Sequence, residues 1–313
     1  MAGVEGFEIY DERFRALLRP DSRLVRLASG ATWSEGPVYF AEDDAVIWSD
    51  IPGNRLLRYS EREGLSEYLK PSHFHNGHYR DLQGRLIACS HGKRCVERLE
   101  PDGTWTVLAD RYQGRRLNSP NDVVVRSDGT VWFTDPPYGL IQPDEGYGGE
   151  QEQEGCYVYR LERPSSPQGG EPERGELEAV ITDMVKPNGL AFSPDERILY
   201  VSETGASHDK RVPSEIRAYD VVDGRSCTGG RRFALIEPGL PDGFRLDVHG
   251  HLFTSSGDSV QVYDPQGVRL GKILVPETVA NLTFGGPEKN RLYITASSSL
   301  YAIDLATQGL QQP

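Results

Sequence analysis

Cysteine, methionine, long apolar runs and positive charge are all in short supply in this chain. Of 313 residues only four are Cys and two are Met. Cys89, Cys95, Cys156 and Cys227 lack the CxxC pairing of zinc or redox sites. That argues against a disulfide framework and for reduced packing residues, with a Cys89 to Cys95 bridge the one pairing left open. No stretch approaches the roughly 20 apolar residues of a membrane span. The opening MAGVEGFEIYDERF carries charges every few positions instead of a signal-peptide core, so a cytoplasmic protein is expected. With 34 Lys and Arg against 47 Asp and Glu, the net charge is −13. Such a balance repels phosphate backbones and anionic lipid, which sets nucleic acid and membrane surfaces aside as partners.

Glycine and proline, at 34 and 21, are plentiful, too loop-rich for a helical bundle in a chain long enough for a large core. The chain is also self-similar. A β-rich run after a turn recurs six times, as DDAVIWSD, QGRLIACS, DGTVWFTD, DERILYVSE, HGHLFTSS and KNRLYITA. Each is followed by a second alternating run, from NRLLRYS (54–60) to SLYAIDL (299–305), and each is preceded by a short apolar stretch such as EGPVYF or NGLAFS. A third, poorer run follows in five units and is missing from the sixth, where the N-terminal RLVRLASG (23–30) can fill the gap. Four strands per unit around an axis describe an all-β, six-bladed β-propeller of antiparallel blades, one domain over 1–313 whose ring the N-terminal strand closes. The excess length falls at 136–155, 164–176 and 202–215, expected to be surface excursions.

Aligning the units on their turns puts one polar residue seven or eight positions ahead of each: Glu35, Asn76, Asn121, Asn188, Asp242 and Asn281. In a propeller, equivalent positions share radius and height, so these carboxylates and amides converge on one mouth of the central channel. Turn chemistry accounts for any single Asn-Gly pair, but not for six positions in register or for Glu35 in the same slot. Oxygen donors without Cys or His at those positions suit a hard divalent cation such as Ca²⁺, Mg²⁺ or Mn²⁺. Without one, Glu35 and Asp242 would repel and at least one pKa would rise.

EGPVYF, LNSPNDVVVRSDGTVWFTDPPYG, PNGLAFSPDERILYVSET, IRAYDV, LPDGFRLD and FGG, in that order over about residues 30–305, resemble the gluconolactonase branch of the senescence marker protein/regucalcin-like lactonase family. The resemblance implies one divalent metal, Ca²⁺ first and Mg²⁺, Mn²⁺, Zn²⁺ or Fe²⁺ as other candidates, held by Glu35, Asn188 and Asp242. Asn121 carries over as a further metal ligand or a substrate contact. Mammalian-type members carry Arg where this chain has Ser119, so their sugar-binding pattern is not transferred. The implied chemistry is hydrolysis of a sugar lactone, glucono-1,5-lactone or a related aldonolactone. The cation would polarise the carbonyl and Asp242 would accept the proton of the attacking water.

Around that centre, His75, Asn76 and His91 are expected to line the pocket, since the histidines of HFHNGH and CSHG do not have zinc spacing. Tyr138 could wall the sugar ring, and His208 with Asp209 could belong to a lid. Asp122 and Asp135 are read as structural. The partner is a small-molecule lactone and the protein a monomer or weak dimer. Two other functions stay open at this point: a phosphotriesterase or arylesterase on the same scaffold, and a noncatalytic calcium-binding propeller.

Overall fold

The computed structural model describes residues 6–162 and 175–310, so most of the 164–176 insert lies outside the described residues. Six antiparallel sheets follow one another along the chain, each built on four strands. Blade 1 comprises Ser34–Phe40, Ala45–Asp50, Arg55–Ser60 and Gly64–Leu69, and blade 2 His75–Arg80, Leu86–Ser90, Cys95–Leu99 and Trp105–Ala109. Blade 3 is Val123–Val125, Val131–Thr134, Val158–Leu161 and Leu177–Ile181. Blade 4 is Pro187–Phe192, Ile198–Glu203, Glu215–Val222 and Ser226–Leu235. Blade 5 is Phe244–Leu246, Leu252–Thr254, Ser259–Tyr263 and Arg269–Leu274. Blade 6 takes Val279–Gly285, Arg291–Ala296 and Ser299–Asp304 from the end of the chain, and its outer strand Val25–Ser29 from the beginning.

The first strands of successive blades touch all the way round, blade 6 to blade 1 included, which makes the six sheets a closed propeller. Burial grades with radius. Blade 1 shows this plainly: Ala45–Asp50 is buried throughout, whereas Gly64–Leu69 is exposed at most positions. An inner strand is covered on both faces by neighbouring blades, so its apolar run is continuous. An outer strand meets water, so its run is broken by polar residues. The core consequently lies between blades. Trp132, for example, meets Phe192 of the next blade edge to face at 5.2 Å.

Two features were not anticipated. Phe7–Ile9 adds a fifth strand to the outer edge of blade 5, pairing Phe7 with Ile273, and the following turn buries Phe14 against Gly271. A two-residue hairpin, Arg111–Tyr112 with Arg115–Arg116, follows blade 2. The open question about cysteine is closed by register: Cys95 pairs with Ser90 and Cys89 with Val96, so the two thiols leave opposite faces of the sheet. All four cysteines are free. No helix among the described residues is long and apolar enough to cross a membrane.

Glycine after the ring residue has a packing cause. A methyl group on Gly36 would lie 1.9 Å from the carbonyl oxygen of Asn76, and one on Gly189 would lie 2.2 Å from that of Asp242. On Gly243 it would lie 2.0 Å from Asn281 Cγ. Each glycine thus lets the next blade's ring residue approach. Hydroxyls from second strands then hold those carbonyls across the blade boundary: Ser49 to Asn76 at 3.0 Å, Thr134 to Asn188 at 2.6 Å and Ser202 to Asp242 at 2.8 Å. Asn-Gly and Asp-Gly here mark contact between blades rather than turns.

Gly36 and Gly64 both have left-handed backbones, with φ of 53° and 72°, but nothing lies within 4 Å of a methyl on Gly64. Gly64→Ala should therefore cost only the left-handed strain, about 1–2 kcal/mol. Gly36→Ala adds a backbone clash and should cost at least about 3 kcal/mol. Urea unfolding midpoints check this; equal losses would remove close blade approach as the reason for the glycine.

Candidate active site

The first strands do not run straight into the channel mouth. In blades 1, 2, 4 and 6 their pairing with the second strand shifts register at the ring position, between Glu35 and Val38, His75 and His78, Pro187 and Leu190, and Val279 and Asn281. Such a bulge bends the strand and re-aims the local side chain. Glu35, Asn188 and Asn281 stand at three of these bulges and, with Asp242 of the unbulged blade 5, gather on one side of the mouth.

Glu35 and Asp242 are the centre of this group. Glu35 is 3% exposed; its Oε2 accepts from the Gly36 N–H at 2.7 Å and from Asn281 Nδ2 at 3.1 Å. Asp242 stays partly exposed at the mouth, close enough to Glu35 and Asn188 for both to act on its carboxyl. Burial, and then the charge of Asp242, hold the Glu35 carboxyl well above the ordinary carboxylate range. For Asp242, burial and then the charges of Glu145 and Asp122 push the pKa to about 7, with Glu35 and Asn188 acting in the other direction.

On the other side of the mouth, His91 joins two more ring residues. Its Nδ1–H donates to the Glu145 carbonyl at 3.0 Å, which leaves Nε2 bare to accept from Asn76 Nδ2 at 3.3 Å and Asn121 Nδ2 at 3.5 Å. Burial lowers its pKa to about 4, so the ring is neutral and keeps that tautomer. With both amino groups turned to His91, the two amide oxygens are left to face another ligand.

Tyr138 opens the four-residue helix Tyr138–Ile141 and is 8% exposed. Its hydroxyl lies 2.6 Å from Thr204 Oγ1, which also accepts from Asn188 Nδ2 at 3.4 Å, so the 136–155 insert is tied through Thr204 to the ring. Ser119 seats that insert: it donates to the Pro136 carbonyl at 2.6 Å and accepts from the Gly139 N–H at 2.9 Å. The residue that replaces an expected arginine therefore has a scaffolding role.

His75 is a correction to the pocket expected from sequence. Its Nε2 is 2.8 Å from Glu97 Oε1, itself bonded to Lys93 Nζ at 3.0 Å, and its ring packs on Trp105 at 4.9 Å. It braces blade 2 and makes no hydrogen bond to the ring amides. His208 does lie by Tyr138, with ring centres 6.0 Å apart, whereas Asp209 is engaged with exposed Arg211. Asp135 accepts the Asn118 N–H at 2.8 Å and is structural, with burial raising its pKa to about 7. Asp122 is more involved than its sequence setting suggested: fully enclosed beside Arg245, 3.6 Å away, it adds its charge to both Glu35 and Asp242. Glu145, on the long insert, was missed; the only signal was an acidic residue within PDEGYGG.

The donor set fits a hard cation. A buried carboxyl, Glu35, and a partly exposed one, Asp242, approach each other with a neutral amide, Asn188, alongside, and the charges acting on them are carboxylates. Among the described residues no three His, Cys, Asp or Glu side chains cluster as a metal site. A cation here would therefore rest on two carboxylates plus amide oxygen, a set for Ca²⁺ or Mg²⁺ rather than structural zinc.

Comparison with known proteins agrees with this reading of the fold. The family model described as SMP-30/Gluconolactonase/LRE-like region matches residues 33–298. A gluconolactonase of Zymomonas mobilis subsp. mobilis is 31% identical over 320 residues, covering 96% of this chain and 86% of that protein. Among solved structures, a protein described as a gluconolactonase from Xanthomonas campestris superposes with a TM-score of 0.86 at 40% identity, over 96% of this chain and 95% of its own. Another, described as a putative gluconolactonase, gives 0.88 at 42% identity, over 97% and 99%.

The raised carboxyl pKa values give a signed expectation for stability. The folded chain binds more protons than the unfolded one between the ordinary Asp value of 3.8 and about 7, so stability falls as pH rises through that window. In metal-stripped protein, Asp242→Asn should raise the melting temperature at pH 8 by a few degrees, with the gain shrinking towards pH 5. Saturating Ca²⁺ should reverse the order at pH 8. Thermal unfolding with and without chelator measures both; an Asn variant less stable than wild type at pH 8 without metal would contradict the like-charge pair.

Proposed function

Since the chain belongs to the SMP-30/gluconolactonase/LRE-like family, we propose that it hydrolyses a sugar lactone, glucono-1,5-lactone or a related aldonolactone, to the aldonic acid. The observation that carries the reading is the meeting of Glu35 and Asp242 beside Asn188 at one channel mouth. These three residues would hold a divalent cation, Ca²⁺ first, with Asn121 as a fourth donor or a substrate contact. When bound, the cation supplies Lewis-acid polarisation of the lactone carbonyl.

The chain's own groups do the rest. Asp242, the more open carboxylate, accepts at a side-chain oxygen the proton of the attacking water, a contribution worth about 10² to 10⁴ in rate. Asn76 and Asn121, their amino groups held by neutral His91, present amide oxygens to the sugar hydroxyls. Tyr138, fixed through Thr204, walls the sugar ring and limits water at the mouth. Proton delivery to the departing ring oxygen reverses the transfer at Asp242, since the group that took the proton is beside the bond that breaks. We assign the enzyme to the cytoplasm, where its four free cysteines stay reduced, acting as a monomer or weak dimer.

A panel of sugar lactones, aryl esters and organophosphates assayed after metal stripping tests the proposal. Acid release from gluconolactone should fall at least about 100-fold with chelator and return with a divalent cation. Asp242→Asn should lower kcat by about 10² to 10⁴ with the fold retained by circular dichroism. Faster turnover of an aryl ester or organophosphate would replace the lactone as substrate. Cation binding with no turnover would make the protein a binding propeller.

A further inference from the structure

The channel beneath the ring holds a buried ion pair. Asp122 directly follows the ring residue Asn121, and its Oδ1 accepts the Val123 N–H at 2.9 Å. That oxygen would lie 2.5 Å from a methyl group on Gly77, the residue after Asn76, so the carboxylate is packed against the backbone of blade 2. Arg245 stands three residues past Asp242 on the first strand of blade 5, about 10 Å further along the channel at an ordinary strand rise. Its guanidinium reaches across to the opposite blades. Nη1 lies 3.6 Å from Asp122 Oδ2 and donates to the Phe244 carbonyl at 2.8 Å, and the guanidinium carbon sits 5.8 Å from the centre of the Tyr79 ring of blade 2.

Both members are nearly out of water, at 1% exposure for Asp122 and 4% for Arg245. A buried guanidinium is costly unless its charge is matched, and among the described residues Asp122 is the carboxylate it pairs with. Glu196, which shares with Arg245 a cavity of about 50 Å³ at the far end of the channel, is engaged by Ser127 and Arg126 instead. The pair is not a tight fork. Arg245 Nε and Asp122 Oδ2 have no hydrogen-bond partner among the described residues, and 3.6 Å is long for a charge-assisted bond. Burial leaves both charges weakly screened, and that of Asp122 acts on both Glu35 and Asp242.

We propose that Arg245 sets the charge of the cation that the ring accepts, by holding Glu35, Asp242, Asp122 and itself at a net −2 rather than −3. The inference rests on the cation reading of the Glu35 and Asp242 pair. Arg245 is then a positioning residue for the ion, acting through charge without touching it. With the guanidinium in place, the three carboxylates match a dication; without it they match a trivalent ion. Glu145, a further carboxylate acting on Asp242, is half-buried, where water and salt screen it. A unit charge about 10 Å away, at the effective dielectric of a buried site, changes affinity by roughly tenfold per unit of cation charge. Neutralising Arg245 therefore favours a trivalent over a divalent ion by that factor.

Calorimetric titration of metal-stripped protein with Ca²⁺ and with Tb³⁺, a lanthanide ion of similar radius, gives the ratio of the two dissociation constants. Arg245→Met should move that ratio at least about tenfold in favour of Tb³⁺. Asp122→Asn should move it by a similar factor in favour of Ca²⁺, and combining the two should return it to within about threefold of wild type. Arg245→Lys, which keeps the charge and loses the planar fork, should retain the wild-type ratio. Circular dichroism and melting temperature identify the folded variants; should Arg245→Met not fold, Asp122→Asn reads the same field with the opposite sign. An unchanged ratio in either folded single variant would overturn the inference. So would an Arg245→Lys protein that behaves like Arg245→Met, which would make guanidinium geometry and not charge the cause. Wild-type protein that binds neither ion would instead defeat the cation reading itself.

Discussion

Two carboxyl groups that would avoid each other in water are forced together in this protein, and much of the architecture serves to keep them there. Glu35 comes from the first blade and Asp242 from the fifth, 207 residues later in the chain (242 − 35). Only a closed ring brings them to one mouth. The closure depends in turn on Val25–Ser29 completing the blade that lies between them in the ring. The cost of the pair appears in Glu35, which burial and the charge of Asp242 hold above the ordinary range, while Asp242 is raised by burial and by Glu145 and Asp122; a divalent cation is the natural way to offset this crowding of carboxylates. The local charge count agrees: Glu35, Asp242 and Asp122 with Arg245 sum to −2 when all are ionised.

The pair is supported by a layer of contacts that carry no charge. Glycine behind each of several ring residues lets neighbouring first strands approach, and hydroxyls on second strands grip the ring carbonyls from the adjacent blade. These bonds couple blade position to site geometry. A second layer, His91 and Thr204, ties the ring amides to the loops above them. His91 does this as a neutral ring of one tautomer, so burial of that imidazole is part of the site's construction and not incidental to it. The mouth is thereby pre-organised on both sides before any ligand enters.

Much of this was legible in the sequence because a propeller repeats. Six copies of one strand pattern gave the blade number, and the missing outer strand of the last copy pointed to residues 23–30, where Val25–Ser29 indeed pairs with Ser299–Asp304. Equal spacing from the turns picked out six positions without any coordinates, and the family resemblance singled out Glu35, Asn188 and Asp242 among them; neighbouring ring side chains do meet across a blade boundary, as Asn281 does with Glu35. What escaped was whatever lies outside the period. Phe7–Ile9 extends an edge that was already complete. Glu145 is on an insert with no counterpart in other blades. His75 misled for a different reason: a one-residue offset from Asn76 on a bulged strand turns its ring into the blade, where Glu97 and Trp105 wait. The glycines were visible, but their cause was not, because a close approach between blades leaves the same Asn-Gly signature as a turn.

The claim that the Glu35 and Asp242 pair is a cation site is tested most directly by calorimetric titration of metal-stripped protein with Ca²⁺ at pH 7 in buffers of different ionisation enthalpy. The expected result is one cation per chain, bound with release of a proton, and loss of both binding and proton release when Glu35→Gln and Asp242→Asn are combined. Absence of binding, or binding that survives the double substitution unchanged, would contradict the account.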